Sequence, residues 1–223
     1  MTQLPRLPGE QLTGSAASPG THAGGAGGAG LLTVRRAVPA DVEAISEIRV
    51  RAWQEAYRGI VPQAFLDGMS PQAEADRRRA RGTRPDHTRQ DWVAERDGRT
   101  VGWLSLGPYR ADDVPEPASG SGEVYAIYVH PRQQGAGVGR ALMRRALDEL
   151  DRAGLAPVLL WVLESNAAAQ RFYARMGFVA DGARNGFEVA GMRIPEIRYR
   201  YARGPAGAAG AGGAAGAAAG PAT

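Results

Sequence analysis

The residues with the clearest chemical meaning are 134–147, QGAGVGRALMRRAL, a glycine-rich turn that runs directly into an amphipathic pattern. Consecutive small residues let backbone N–H groups point into one concavity, and the helix that follows adds its positive end, so the turn suits a pyrophosphate. Dinucleotides, nucleoside triphosphates and coenzyme A all use such turns. The dinucleotide pattern needs glycine where the chain has Arg140, and the triphosphate P-loop needs a lysine, which the chain lacks. Coenzyme A and a tight turn without a ligand remain.

The composition excludes several other kinds of chemistry. Cysteine is absent, so there is no disulfide, no thiolate zinc site and no cysteine nucleophile. The histidines His22, His87 and His130 share no metal-ligand spacing, and we expect no metal. The net charge of +4 suits an anionic small molecule as readily as nucleic acid. Because the one dense basic run, 76–89, contains no aromatic residues to stack on bases, we interpret it as a solvated helix end and loop and expect no nucleic-acid partner.

Low-complexity segments flank the centre of the chain. Residues 1–30 and 203–223 are rich in Gly and Ala, bury too little apolar surface to order themselves, and are expected to be disordered. The expected folded domain is therefore 31–202. Residues 25–30, GAGGAG, match the dinucleotide pattern, but no strand precedes them and no helix follows, so we discard the match. With no apolar core after Arg6 and no apolar span in the C-terminal segment, we expect a cytoplasmic protein with no membrane partner.

The turn needs regular elements to position it, and hydrophobic periodicity predicts them. Strands are predicted at 31–38, at 91–108 as a hairpin joined at Asp97–Gly98, and at 123–129, 156–163, 178–183 and 194–201. Helices are predicted from Pro39 to about Tyr57, from 63 to about Arg81, from the turn to about Arg152, and within 165–177. This order predicts a mixed α/β sheet with helices on its faces.

The chain resembles the GNAT N-acetyltransferase superfamily in two signatures. VHPRQQGAGVGRALM resembles the acyl-CoA-binding motif Q/R-x-x-G-x-G/A, with Gln134, Gly137 and Gly139 at its fixed positions. LWVLESNAAAQRFYARMGF, residues 160–178, is similar to the second signature, an Asn early in a helix, then a Tyr, then Gly-Phe. The resemblance covers nearly all of 31–202. It implies an α/β (α+β) fold whose mixed, mostly antiparallel central sheet has a splayed strand pair and helices on both faces.

The resemblance also implies a bound acetyl-CoA as co-substrate, with no metal. The strand before the turn would offer its backbone to the pantetheine arm, the turn would hold the pyrophosphate, and the helix-capping Asn would contact the arm. The implied acetyl-CoA-binding residues are Ile127, Tyr128, Val129, Gln134, Gly135, Ala136, Gly137, Val138, Gly139, Arg140 and Asn166. Arg140 has an equally good reading as a surface arginine, and Asn166 as a plain helix cap.

Acetyl transfer to an amine needs a base, because an alkyl ammonium has a pKa of about 10. Glu123 is the candidate, a lone carboxylate in an apolar strand, placed by period two on one face with Tyr125, Ile127 and Val129. A solvated carboxylate at the strand edge, with water as the base, is the alternative. The resemblance assigns Tyr173 as the acid that protonates the coenzyme A thiolate, and its alternative role is packing against the sheet.

The acceptor is the least specified part of the reaction. Trp53, Tyr57 and Arg58 follow the first helix, where the family usually shapes its acceptor pocket, but these residues also suit packing and loop anchoring. We expect an N-acetyltransferase acting on a primary amine of a small molecule or peptide. A non-catalytic acyl-CoA-binding sensor or partner module is the alternative, and a homodimer is left open.

Overall fold

The computed structural model describes residues 30–82, 88–110 and 119–201 of the 223-residue chain. Apart from Gly30, the predicted disordered tails lie outside the described residues. So do His22, His87 and the 83–87 part of the basic run.

The described residues form five α-helices and seven strands. The helices are α1 (Val42–Ala56), α2 (Gln63–Asp67), α3 (Pro71–Gly82), α4 (Val138–Arg152) and α5 (Ala167–Arg175). The strands are β1 (Leu32–Arg36), β2 (Gln90–Arg96), β3 (Arg99–Pro108), β4 (Gly122–Val129), β5 (Val158–Leu163), β6 (Val179–Val189) and β7 (Met192–Tyr201). Short 3₁₀ turns at Pro39–Asp41 and Pro131–Gln133 precede α1 and follow β4.

Local sequence signals located most of these elements, with one error in the helices. The hairpin between β2 and β3 turns at Asp97 and Gly98, with φ of 50° and 71°, as predicted. The single helix predicted from 63 to about 81 was wrong, because α2 ends at Asp67 and α3 starts at Pro71. Proline has no N–H for a helical hydrogen bond and disfavours helical backbone in the residue before it, so it begins a new helix.

The last two strands are longer than predicted. Instead of ending near 183 and restarting at 194, β6 and β7 form one hairpin that turns at Ala190 and Gly191, with φ of 49° and 75°. Alanine is an unusual residue at positive φ, so the sequence carries a weak turn signal there.

The seven strands form one sheet in the order β1-β2-β3-β4-β5-β7-β6. All neighbours are antiparallel except β4 and β5, which are parallel and pair only at Gly122 with Val158 and Glu123 with Leu159. Beyond these two pairs the strands diverge. We call the space between 124–129 of β4 and 160–163 of β5 the β4–β5 gap. The predicted mixed, mostly antiparallel sheet with a splayed strand pair is confirmed.

Helices cover both faces of the sheet, as predicted. One apolar core joins the sheet to α4 and α5 and includes Leu142, Met143 and Tyr173. The other core joins it to α1 and α2 and includes Trp53 and Leu66. These cores define an α4 face and an α1 face.

A bulge in the β3–β4 ladder changes which residues of β4 share a face. The extra residue is Tyr125, where the register between the two strands shifts. Because the bulge reverses the alternation, Val124 packs with Ile127 and Val129 on the α4 face. Glu123 therefore points to the α1 face. The predicted common face of Glu123, Tyr125, Ile127 and Val129 was wrong, because simple alternation cannot include a bulge.

Glu74 of α3 joins this helix to α1. Its carboxylate lies 2.8 Å from the guanidinium of Arg49 and 3.2 Å from that of Arg78. Two more exposed arginines, Arg77 and Arg81, also form salt bridges with this carboxylate. Burial alone would raise the pKa of Glu74, but the charges of Arg49 and Arg78 and the hydrogen bond from Arg77 bring that pKa below its ordinary value. The carboxylate therefore stays charged at neutral pH.

Candidate active site

The glycine-rich turn connects the end of β4 to α4 in a conformation that needs glycine. Gly135 and Gly137 have φ of 75° and 82°, a region that glycine enters without strain. Gly137 is the N-cap of α4, and no side chain caps this helix. Helical hydrogen bonding begins where the N–H of Ala141 donates to the Gly137 carbonyl (3.0 Å). The N–H groups of 138–140 therefore precede the ladder at the positive end of the helix, which is the arrangement that binds anions.

Arginines hold and border this turn. Arg96 of β2 donates to the side-chain oxygen of Gln133 (2.8 Å) and to the carbonyl of Ala136 (2.9 Å). The exposed Arg140 guanidinium lies 3.9 Å from the point where a Cβ on Gly137 would stand. A cation thus lies directly over the turn.

Gly139 differs from the structural glycines of the fold. A Cβ on Gly102 would stand 2.9 Å from side-chain carbons of Leu142 and Val138, so packing requires glycine there. A Cβ on Gly139 would meet Phe172 at 3.5 Å and Val129 at 3.7 Å, which are ordinary van der Waals distances. Neither packing nor a positive φ explains the glycine at 139. The fold itself would therefore tolerate a methyl group at this position.

The β4–β5 gap opens toward this turn. The two strands are parallel, so the N-terminal ends of α4 and α5, which follow them, border the same end of the gap. Residues 127–129 form the β4 edge of the gap, and Asn166 caps α5 by accepting a hydrogen bond from the Ala169 N–H (3.0 Å). Asn166 is therefore a helix cap, and its proximity to the gap agrees with a second role.

Tyr173 lies in the core of the α4 face and is 2% exposed. Its ring centroid is 5.4 Å from that of Phe172, 5.9 Å from Phe178 and 6.2 Å from Tyr199. The packing role considered from the sequence is thus real.

Glu123 is completely buried and has a clear partner. One of its carboxylate oxygens accepts the backbone N–H of Arg110 (3.0 Å), and the other accepts from the Arg110 guanidinium (3.2 Å). The same guanidinium lies 4.0 Å from the ring centroid of Tyr125. The solvated strand-edge alternative is wrong, because Glu123 is buried in this contact. The contact joins Arg110, two residues after the end of β3, to the start of β4.

Two of the three predicted acceptor residues lie in the core on the α1 face of the sheet. Trp53 and Tyr57 are buried, and the Trp53 indole N–H donates to the hydroxyl of Tyr128 (3.0 Å). The Tyr57 hydroxyl has no hydrogen-bond partner within the described part of the chain. Arg58 is exposed and borders a surface groove of about 470 Å³, which is also lined by His130. Arg58 is not brought together with the other two.

Burial raises the pKa of the Tyr57 hydroxyl well above its ordinary value, and the neighbouring Tyr128, Tyr173 and Glu196 raise it further. The hydroxyl stays protonated at neutral pH. Sequence reasoning missed Glu196, a β7 carboxylate that is only 3% exposed. The available signal was a lone acidic residue within the alternating strand sequence RIPEIRYR.

Within residues 30–82, 88–110 and 119–201, no helix is long and apolar enough to cross a membrane. No group of three or more His, Cys, Asp or Glu side chains there could hold a metal ion.

A splayed parallel strand pair beside an uncapped helix N-terminus agrees with the class of acyl-CoA-dependent transferases that the sequence resemblance implies. Comparison with known proteins identifies the family. Residues 43–178, more than half of the chain, match the model of the acetyltransferase (GNAT) family. The chain belongs to this family, and the predicted family and enzyme class are confirmed.

Individual relatives agree with this assignment. An uncharacterized N-acetyltransferase of Bacillus subtilis, YuaI, is 29% identical over 167 residues, which cover 75% of this chain and 91% of the relative. The mycothiol acetyltransferase of Parafrankia sp. is 36% identical over 158 residues, 65% of this chain and 48% of its own length. The structure of yncA from Salmonella typhimurium with its cofactor acetyl-CoA is 26% identical with a TM-score of 0.56, covering 80% of this chain and 99% of that one. The acetyl-CoA in that structure agrees with the co-substrate predicted from the sequence.

Proposed function

We propose that the chain transfers an acetyl group from acetyl-CoA directly to a primary amine of a small molecule or peptide. The β4–β5 gap carries this proposal, since it opens beside the uncapped N-terminus of α4. A narrow opening between two strands suits the unbranched pantetheine arm of the coenzyme, and the adjacent helix end suits its pyrophosphate.

The turn fits the pyrophosphate in charge and in shape. The N–H groups of residues 135–140 would donate to its oxygens, and Arg140 would add a positive charge. Gly139 has no side chain although the fold would tolerate a methyl group there, and this gives the ligand close access to the backbone. The residues that would hold this end are Gln134, Gly135, Ala136, Gly137, Val138, Gly139 and Arg140.

The arm and the thioester would lie along β4. The backbone of Ile127, Tyr128 and Val129 would bind the arm from one side of the gap, and Asn166 would contact it from the other. A backbone N–H near Val129 would stabilise the negative charge that develops on the carbonyl oxygen. Bound acetyl-CoA supplies the acetyl thioester and its thiolate leaving group.

Tyr173 would donate a proton to the departing thiolate. It lies on α5, the helix whose N-terminal end borders the gap. A phenol with an ordinary pKa of about 10 is a suitable donor to a thiolate. Since the chain has no cysteine, the amine must attack directly, without an acyl-cysteine intermediate.

The absence of cysteine allows a direct test. Free coenzyme A released during turnover is measured with a thiol reagent, and the protein contributes no background. The enzyme is incubated with acetyl-CoA and a panel of amino acids, polyamines, aminoglycosides and peptides with free N-termini. We expect acceptor-dependent thiol release with at least one amine. Saturable acetyl-CoA binding with no thiol release from any panel member would instead support the sensor alternative and overturn the proposal.

A further inference from the structure

The surface groove of about 470 Å³ lies between the exposed side of α1 and the 3₁₀ turn that follows β4. His130 in its wall immediately follows Val129, the last residue of β4. The backbone near Val129 is where the proposed reaction would hold the acetyl carbonyl. The groove therefore begins one residue from the reacting group, where it can receive the part of the acceptor that lies beyond the amine.

Two guanidinium groups in the groove have no partner within the described part of the chain. Arg58 and Arg132 are both exposed, and neither side chain makes an ion pair, a hydrogen bond or an aromatic contact with those residues. The third arginine of the groove, Arg51, lies 3.9 Å from Glu47. Two unpaired cations that border one concavity attract an anion, and the planar guanidinium group suits a carboxylate in particular.

His130 adds a third donor to the groove. The backbone N–H of Arg132 donates to the Nδ1 atom of His130 (3.2 Å), so in the neutral imidazole the hydrogen is on Nε2. The Nε2–H group is then the part of the ring that donates to a ligand. The groove thus offers one neutral and two charged donors for the oxygens of a carboxylate.

Backbone hydrogen bonds hold both walls of the groove in place. The N–H of His130 donates to the carbonyl of Val101 on β3 (2.9 Å), which joins the 3₁₀ turn to the sheet. After α1, the N–H of Val61 donates to the Tyr57 carbonyl (2.9 Å), and this turn contains Arg58. Because the backbone is already ordered, a ligand would need to order only the side chains, which lowers the cost of binding.

Acidic residues limit how much negative charge the groove can hold. Glu47 and Glu55 line it as well, and Glu47 is the residue that lies near Arg51. Glu55 makes no ion pair within the described residues, which leaves two unpaired cations and one unpaired anion in the groove. This balance suits a group with a single negative charge better than a phosphate, which carries about −1.5 to −2 at neutral pH.

We propose that the groove binds a carboxylate of the acceptor, with Arg58 and Arg132 donating to its oxygens and His130 as the third donor. The acceptor class is then an amino acid, that is, a primary amine that also carries a carboxylate. This inference rests on the proposed acetyl transfer and names its acceptor.

Matched pairs of acceptors test this class directly. Each pair is an amino acid and the same molecule without its carboxyl group: β-alanine with ethylamine, L-leucine with isoamylamine, and L-phenylalanine with phenethylamine. Thiol release from acetyl-CoA is measured at equal concentrations of free amine, which removes the difference in amine pKa within a pair. We expect at least one amino acid to have a kcat/KM about tenfold or more above that of its partner, the usual contribution of a hydrogen bond to a charged group.

Arg58→Gln and Arg132→Gln remove the two cations singly, and Arg175→Gln is the matched control. Arg175 is an exposed arginine in the last turn of α5, outside the groove and with no partner among the described residues. For the preferred amino acid, we expect KM to rise about tenfold in each groove variant with kcat unchanged, because only binding is lost. KM for the partner without a carboxyl group should not change, and Arg175→Gln should affect neither substrate.

The outcomes separate this inference from the proposed function. Acetyl transfer with no preference for any amino acid would overturn the inference and leave the transfer established. A groove variant that affects both members of a pair equally, or neither, would also overturn it. No thiol release from any amine would instead refute the proposed function.

The ribose phosphate of coenzyme A is the other anion of the reaction that can reach these arginines. We expect the acetyl-CoA dissociation constant to be unchanged in Arg58→Gln and Arg132→Gln. Weaker binding of acetyl-CoA in these variants, with unchanged binding of acetyl-dephospho-CoA, would assign the arginines to the coenzyme and overturn the proposal.

Discussion

Replacing Glu74 with Gln should destabilise the domain strongly. The change keeps the side-chain volume and removes only the charge, so any loss of stability reports on the ion pairs of Glu74. The Arg49 and Arg78 side chains beside it are 8% and 10% exposed, so two buried guanidinium groups would lose their carboxylate. Breaking a buried ion pair in this way costs about 3–5 kcal/mol of unfolding free energy. For a domain of this size each kcal/mol lowers Tm by about 2–4 °C, so we expect a decrease of roughly 6–20 °C.

Asp76→Asn is the matched control, since it makes the same charge change on the same helix. The Asp76 side chain is 61% exposed, and its carboxylate pairs with Arg79 at 2.7 Å. Exposed pairs contribute about 0–1 kcal/mol, so Tm should fall by at most a few degrees. Circular dichroism melts of wild type and both variants make the comparison. Equal shifts for Glu74→Gln and Asp76→Asn would refute the reasoning.

The pH dependence of this difference follows from the lowered pKa of Glu74. A carboxyl whose pKa is lower in the folded state stabilises the fold above its unfolded pKa of about 4.3, and this contribution is lost as the pH falls through the folded value. The stability difference between wild type and Glu74→Gln should therefore be constant from pH 8 to pH 5.5. It should shrink below about pH 4.3, as urea titrations at several pH values would show.

Three further predictions concern the site. Gly139→Ala should leave Tm unchanged or slightly raised, because alanine favours a helix by up to about 1 kcal/mol. The same variant should bind acetyl-CoA at least tenfold more weakly by calorimetry. The control Gly102→Ala should lower Tm instead, because the added methyl group clashes with α4. Unchanged affinity in Gly139→Ala would mean that no ligand uses that space. Tyr173→Phe should lower kcat by about 100-fold or more with little change in acetyl-CoA affinity, and unchanged turnover would reject Tyr173 as the acid. Trp53→Phe should cost about 2 kcal/mol or more in a urea melt, because it removes the hydrogen bond to Tyr128 and leaves a cavity in the core, and a neutral result would mean that neither effect contributes.

The sequence predicted the features that local residues determine. Asp97–Gly98 specifies its own hairpin, and the glycines of 134–139 specify a turn before a helix. Features that depend on neighbouring strands were missed. The bulge at Tyr125 exists only in the register with β3, so period two placed Glu123 on the wrong face. The position of Glu196 opposite Leu163 likewise exists only because β7 pairs with β5.

The crystal structure of the protein with coenzyme A is the most direct test of the central claim. We expect the pyrophosphate oxygens within hydrogen-bond distance of the backbone N–H groups of residues 135–140. We also expect the pantetheine arm to lie between β4 and β5, with its sulfur near the hydroxyl of Tyr173. A coenzyme bound elsewhere, for example in the surface groove beside Arg58 and His130, would contradict the assignment of the gap and the turn.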